Sequence, residues 1–337
     1  MKKFSVILLI IALLLTLSAC SKEISEEQNP ISTPNDSETV KSNDSIGESN
    51  ESDVIESVWT VDALDGIKLY EVYEFGGGLV GIGGGQLYFS ADGINWEMTK
   101  DLSPYYYSSV FTANGQLVVY DDMNAHFTSD GRSYSSSPRE VFHLFNTAMH
   151  DGNQFICVDT GLLRISQDGL KYINVLADPN NPISDVYFKE DSGYDAVIYR
   201  LALYKGSYYA VGDGIWKSSD LYTWERVVPL SSLVYTAEDL LYNGSTFLIP
   251  ALYEFYIYDG NSSLTKTSPG ASNFIINNGA FLAYNGKGLV NMSTDGITWT
   301  EVFKEDTNIF TAYCGIVYNE KLFIYGEDGK FRYTEYK

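Results

Sequence analysis

Cysteine, histidine, proline and positive charge are all scarce in this chain. Three cysteines and three histidines in 337 residues leave little material for a metal site. His126, His143 and His150 have no metal-ligand spacing, and no Cys/His cluster has the spacing zinc requires. No metal and no cofactor are expected. Cys157, in Phe155-Ile156-Cys157-Val158, and Cys314, in Phe310-Thr311-Ala312-Tyr313-Cys314, lie in strand-like apolar runs that suit small core residues. Lys and Arg total 22 against 44 Asp and Glu, a formal charge of −22. That balance argues against nucleic acid, whose phosphates need basic side chains. It argues equally against docking on anionic lipid, while suiting solubility and attraction of cations. Proline numbers nine, and no stretch keeps a helical period. Short apolar runs rich in Tyr, Phe, Val and Ile alternate instead with turn residues, the pattern of an all-β domain.

The chain does contain one long apolar run, at its start. Lys2 and Lys3 precede an almost unbroken apolar stretch from Phe4 to Leu17. That stretch is shorter than the ~20 residues a helix needs to cross a bilayer comfortably, and its flanks are those of an export signal. It meets Leu17-Ser18-Ala19-Cys20. This tetrapeptide resembles the bacterial lipobox: a branched apolar residue, two small residues, and a cysteine. The resemblance implies diacylglyceryl transfer to the Cys20 thiol, cleavage after Ala19, and an extracytoplasmic chain anchored to a membrane by lipid, since two or three acyl chains hold where one is marginal. Loss of Lys2 and Lys3 with residues 1–19 would leave the mature chain near −24 (−22 − 2). Residues 20–56 then carry ten acids, two lysines and almost no aromatics. Such a segment buries too little apolar area to offset its ordering entropy, so a disordered acidic tether is expected. The exported compartment permits a disulfide between Cys157 and Cys314, but the repeats place them in separate units.

From residue 57 to 337 one motif recurs. It reads Ser90-Ala91-Asp92-Gly93-Ile94-Asn95-Trp96, then Thr128-Ser129-Asp130-Gly131-Arg132-Ser133-Tyr134, Ser166-Gln167-Asp168-Gly169-Leu170-Lys171-Tyr172, Ser218-Ser219-Asp220-Leu221-Tyr222-Thr223-Trp224 and Ser293-Thr294-Asp295-Gly296-Ile297-Thr298-Trp299. A degenerate copy fits at Tyr258-Asp259-Gly260. The aspartates step by 38 (92 to 130), 38 (130 to 168), 52 (168 to 220), 39 (220 to 259) and 36 (259 to 295). Ahead of each copy stands a tight-turn pair between apolar runs, such as Asn114-Gly115, Asp151-Gly152, Lys205-Gly206, Asn243-Gly244 and Asn278-Gly279. Such pairs predict hairpins in which both residues reach positive φ. Four strands in about 38 residues is the arithmetic of a β-propeller blade. Seven turn pairs against six motifs, with an orphan Ser57-Val58-Trp59-Thr60-Val61 at the front, predict a seven-bladed propeller of four-stranded blades whose N-terminal strand completes the last blade. A six-bladed ring is the alternative.

These motifs resemble Asp-box, or BNR, repeats. The resemblance covers roughly residues 58–337 and lacks one spacer between Asp and Gly. It implies that Asp92, Asp130, Asp168, Asp220 and Asp295 cap turns, that Trp96, Trp224 and Trp299 wedge between blades, and that these turns lie on the face away from a binding centre. Loops on the opposite face are where function concentrates. The candidates there are Tyr105 and Tyr106, His143, and, in the long insertion between units three and four, Asp185, Tyr187, Asp191 and Tyr194. Aromatic faces beside carboxylates suit a surface glycan, peptide or protein ligand.

Asp boxes are also frequent in sialidases. That resemblance would imply an Arg-Ile-Pro string, an arginine triad and a Tyr/Glu pair. No Arg-Ile-Pro occurs, and Arg132 and Arg164 of the six arginines belong to the turn motifs or their strands. No Ser-His-Asp constellation stands in a recognisable context, and the Gly76–Gly85 stretch has no helix to follow it as a phosphate loop would. A non-catalytic, monomeric binding propeller is therefore expected, with a glycoside hydrolase as the alternative. The lipid assignment has a direct check: a Cys20→Ser chain should no longer take up labelled fatty acid or partition with membranes.

Overall fold

Side chains that alternate in and out of a strand give each blade two apolar faces, and each face needs a cover. Seven sheets in a ring supply that cover for one another. The computed structural model describes residues 59–336 apart from 105–106, 140–146, 160, 176–184, 187, 190–195, 230–236, 238, 252–253, 261–262 and 305–309. All described residues belong to one compact unit, Asp53–Lys337. They form 28 strands in seven four-stranded antiparallel sheets, so the chain is a seven-bladed β-propeller and the six-bladed alternative falls. Among them no helix is long and apolar enough to cross a membrane.

Six blades use consecutive strands, here called a to d. Blade one spans 71–101, blade two 107–138, blade three 147–174, blade four 198–229, blade five 241–267 and blade six 273–303. Blade seven takes strands a, b and c from Ala312–Tyr318, Lys321–Gly326 and Lys330–Glu335. Its strand d is Thr60–Ala63, paired antiparallel with Thr60 opposite Tyr333 and Ala63 opposite Lys330. The ring thus closes through the first strand of the domain. Trp59, just ahead of it, is buried with Phe303 of blade six in an edge contact of 5.7 Å. The fully buried Arg332 guanidinium lies 5.4 Å from the Trp59 ring centre and 5.3 Å from that of Phe310.

The core is a set of clusters at the blade interfaces. Val80, Phe89 and Leu117 join blades one and two. Tyr120, Ala148 and Phe155 join two and three. Val211, Leu240 and Ile249 join four and five. Between blades three and four the cluster includes Val186 and Phe188, from the long insertion. Phe188 meets Trp216 and Trp224 edge-on at 5.4 and 5.0 Å. Part of that insertion is therefore core.

The a–b turns differ from the uniform expectation. Asn114-Gly115, Lys205-Gly206 and Asn278-Gly279 have positive φ at both residues, as does Gly76-Gly77. Asp151 and Asn243 do not. Their side chains instead accept the amides two and three residues on, from Asn153 and Gln154 and from Ser245 and Thr246. An Asx acceptor closes a wider turn without left-handed backbone at its first residue. Cys157 and Cys314 are both free, in blades three and seven.

Closure by one short strand makes that strand disproportionately important. Trp59→Ala should cost about 3–5 kcal/mol, the range for a buried tryptophan, and deletion of residues 57–63 should lower the melting temperature further. An unchanged melting curve for the deletion would show that the ring closes without its outer strand.

Candidate functional site

The order of strands decides which side chains meet on the axis. First strands of adjacent blades touch one another, as in blades two, three and four and in blades six, seven and one. Strand a is therefore the inner strand. Between the first strands of blades one to four lies a cavity of about 460 Å³. Pockets that hold small ligands or single anchor groups have this size. Blade one contributes Glu71, Tyr73 and Glu74, blade two Ser109 to Thr112, blade three Thr147 to Met149, and blade four Tyr199 to Leu201.

The polar groups of this wall are coupled. The Tyr73 hydroxyl donates to a Glu71 carboxylate oxygen. Arg200 Nε lies 3.3 Å from Asp239 Oδ1, and Asp239 is the main reason the guanidinium is held above its ordinary pKa. The Leu201 amide donates to Thr147 Oγ1 at 3.2 Å and ties blade four to blade three. Tyr199 is half-exposed beside Arg200. Ser109 Oγ is buried and has no hydrogen-bond partner among the described residues. Buried hydroxyls are normally paired, so this one has hydrogen-bonding capacity left over.

The Asp-Gly turns lie elsewhere. In a four-stranded antiparallel blade the a–b and c–d turns share one face, and the b–c and d–a connections share the other. In each of the five full copies the Ser or Thr hydroxyl donates to the Asp carboxylate, at 2.9 to 3.1 Å. The same hydroxyl accepts the amide of the Gly position, which is Leu221 in blade four. The Asp then accepts the next two amides, as Asp92 does from Ile94 and Asn95 at 2.8 Å. Each turn also docks on the preceding blade. Tyr325 of blade seven donates to Gly93 O at 2.8 Å, Tyr120 of blade two to Gly169 O at 2.9 Å, and Thr267 of blade five to Gly296 O at 2.6 Å. A Cβ on Gly131, which has φ +73°, would sit 2.9 Å from Phe89 and Val80 of blade one. Glycine is needed there for packing as well as for φ.

Of the ligand-binding candidates, Tyr105, Tyr106, His143, Tyr187, Asp191 and Tyr194 lie outside the described residues. Asp185 accepts a hydrogen bond from Asn174, on strand d of blade three, at 3.0 Å. Sequence reasoning passed over Glu71, Tyr73, Ser109, Thr147 and Arg200. Their signal was polar residues within the first strand of each repeat, the strand that must face the axis.

One constellation was missed for a different reason. Ser136 Oγ lies 2.7 Å from His126 Nδ1, and His126 Nε2 lies 2.8 Å from Asp121 Oδ2. His126 and Ser136 are cross-strand partners in blade two, invisible until the register is known. Burial lowers the His126 pKa against the opposing Asp121. Asp121 meanwhile accepts the Met123 and Asn124 amides, at 2.7 and 2.5 Å, and so caps the b–c turn. Ser136 is an exposed strand residue, and this chain of hydrogen bonds anchors strands b, c and d together.

No known family model and no curated protein matches the sequence. Solved structures do match in fold. YCF48 bound to D1 peptide aligns with a TM-score of 0.60 at 16% identity, over 83% of this chain and 97% of that one. The extracellular domain of a putative one-component system, BT4673 from B. thetaiotaomicron, gives 0.60 at 13% identity over 85% of this chain and 40% of that one. PorZ, a surface component of the type-IX secretion system of Porphyromonas gingivalis, gives 0.53 at 12% over 83% and 39%. At these identities the likeness establishes the propeller.

The turn carboxylates give the stability a signed pH dependence. Asp92, Asp130 and Asp295 are lowered from 3.8 to about 2. At Asp92 burial pushes upward and the donors from Asn95 and Ile94 outweigh it; at Asp130 and Asp295 the Ser133 and Thr298 amides act first. A lowered native pKa contributes stability above the unfolded value, lost as pH falls through the native one. Thermal melts should therefore weaken between about pH 4 and pH 2. An Asp92→Asn, Asp130→Asn, Asp295→Asn triple variant should flatten that slope, and an unaltered slope would assign acid sensitivity to other groups.

Proposed function

We propose that this chain is a bacterial lipoprotein whose propeller binds a peptide, protein or glycan in its axial cavity without catalysis. The observation that carries this reading is the cavity of about 460 Å³, on which aromatic, carboxylate and guanidinium groups converge together with the Ser109 hydroxyl, unpartnered among the described residues. Such a mixture of apolar wall and a few polar groups is what a recognition pocket needs. Residues 1–19 would serve as the export signal, Cys20 as the lipidated residue, and 20–56 as the tether, on the extracytoplasmic side. The turn motifs would be structural members of the Asp-box type. Tyr105, Tyr106 and His143, ahead of the first strands of blades two and three in the sequence, and Asp191 and Tyr194, ahead of that of blade four, would be further ligand contacts. YCF48 is described with a bound peptide, and BT4673 and PorZ as extracellular or surface proteins, which agrees with this reading.

A second reading rests on one contact. Tyr73 donates to Glu71 beside Arg200, so a carboxylate stands ready to take a proton from a tyrosine nucleophile, as in a sialidase-like glycoside hydrolase. Against it, Arg200 is the one cation among the residues lining the cavity.

Full-length protein in detergent, tested on peptide and glycan arrays and with fluorogenic glycosides, separates the two. Binding of a peptide or glycan probe without turnover, weakened by Ser109→Ala, is expected. Turnover lost in Tyr73→Phe would establish the hydrolase instead.

A further inference from the structure

The charges around the axial cavity do not balance. Among the described residues, Glu71 and Glu74 line it and Asp239 adjoins it, against Arg200, a formal −2 (+1 − 3). Arg200 is engaged first by Asp239, with a smaller attraction from Glu71. Tyr73, Phe111 and Tyr199 add aromatic surface to the same wall. An acidic cluster alone would be no more than a solvated patch. Ser109 supplies the independent sign: its residue is only 9% exposed, it lines the cavity, and its hydroxyl has no partner among the described residues. A donor brought by a ligand would satisfy it.

These features select among ligand chemistries. An acidic segment would meet the carboxylates and a chain of net charge −22. A neutral sugar could pair with Ser109 but would draw nothing from the charge. A lysine or arginine side chain uses every feature at once: ammonium or guanidinium donors for carboxylates and hydroxyl, a positive charge for the aromatic faces, and long-range attraction toward an acidic protein. We propose that the axial cavity receives a lysine or arginine side chain from a basic segment of a partner protein. This rests on the ligand-binding reading above and names its ligand class. Glu71 and Glu74 are the counter-charges, Tyr73 and Tyr199 the aromatic walls, and Ser109 the acceptor that fixes the cationic head.

The test uses the full chain in detergent and three fluorescein-labelled, end-blocked Gly-Ser peptides. Their centres are Tyr-Lys-Arg-Lys-Tyr, Tyr-Gln-Gln-Gln-Tyr and Tyr-Glu-Glu-Glu-Tyr, and maltotriose serves as the neutral sugar. Anisotropy should show the basic peptide bound at least about tenfold more tightly than the Gln peptide, with no binding of the Glu peptide. Glu71→Gln and Ser109→Ala should each weaken it about fivefold or more. Glu301→Gln, on the outer strand of blade six, should leave it unchanged, which separates the cavity from general attraction to an acidic surface. Thermal melts identify any variant that fails to fold, and Glu74→Gln, at an exposed position, then stands in for it. Equal affinity for the Lys/Arg and Gln peptides, or basic-peptide binding indifferent to Glu71, Glu74 and Ser109, overturns the inference. Maltotriose binding lost in Ser109→Ala, without basic-peptide binding, overturns it while the ligand-binding reading stands. Binding of no probe counts against both.

Discussion

Every blade of this molecule depends on a neighbour to cover its two apolar faces. A four-stranded sheet with Val, Ile, Leu and aromatic residues on both sides has no stable existence in water by itself. The ring solves this by making each interface a shared core, and the turn motif of one blade contributes to it by docking on the blade before. Gly93, Gly169 and Gly296 all offer their carbonyls across such an interface. The aspartates that recur so visibly in the sequence serve this docking: they hold the turn in a shape that lets the glycine approach a side chain of the neighbouring blade, such as Phe323 at Gly93 and Ile257 at Gly296. Blade four shows how much the packing dictates. There Leu221 occupies the glycine position at φ +70° and is buried against the neighbouring blade.

The architecture was legible because its signals are local. Ser-x-Asp-Gly and Asn-Gly mark turns through hydrogen bonds within three residues, so their spacing carries the blade count, and an orphan strand containing Trp59 could be matched to a final unit that lacked one. What was not legible depends on contacts far apart in sequence. Nothing local says that Phe188, inside a long polar insertion, fills the gap between Trp216 and Trp224. Nothing local pairs His126 with Ser136. The Asp151 and Asn243 turns were misjudged because an Asx side chain closes a turn by a different route from left-handed backbone.

The candidate site was less legible than the fold for a related reason. Attention to loops picked out tyrosines and acids at the ends of the first strands. Among the described residues the cavity is lined by the strands themselves, where Glu71, Tyr73, Ser109 and Arg200 look like ordinary members of alternating runs. Only the ring, by turning seven first strands toward one axis, gives those side chains a common destination. The cavity is a property of the closed circle, since four different blades supply its wall.

The closing strand has a mechanical consequence. The chain ahead of Thr60 reaches the domain at the end where, in the other blades, the c–d turns lie. Any tension delivered along that chain falls first on four residue pairs, Thr60 to Ala63 against Tyr333 to Lys330. If a captured partner were pulled while the N-terminal segment was held, the outer strand of blade seven would be the fuse. Trp59, clasped between Phe303 and the buried Arg332, is the pin that must be drawn before it gives way.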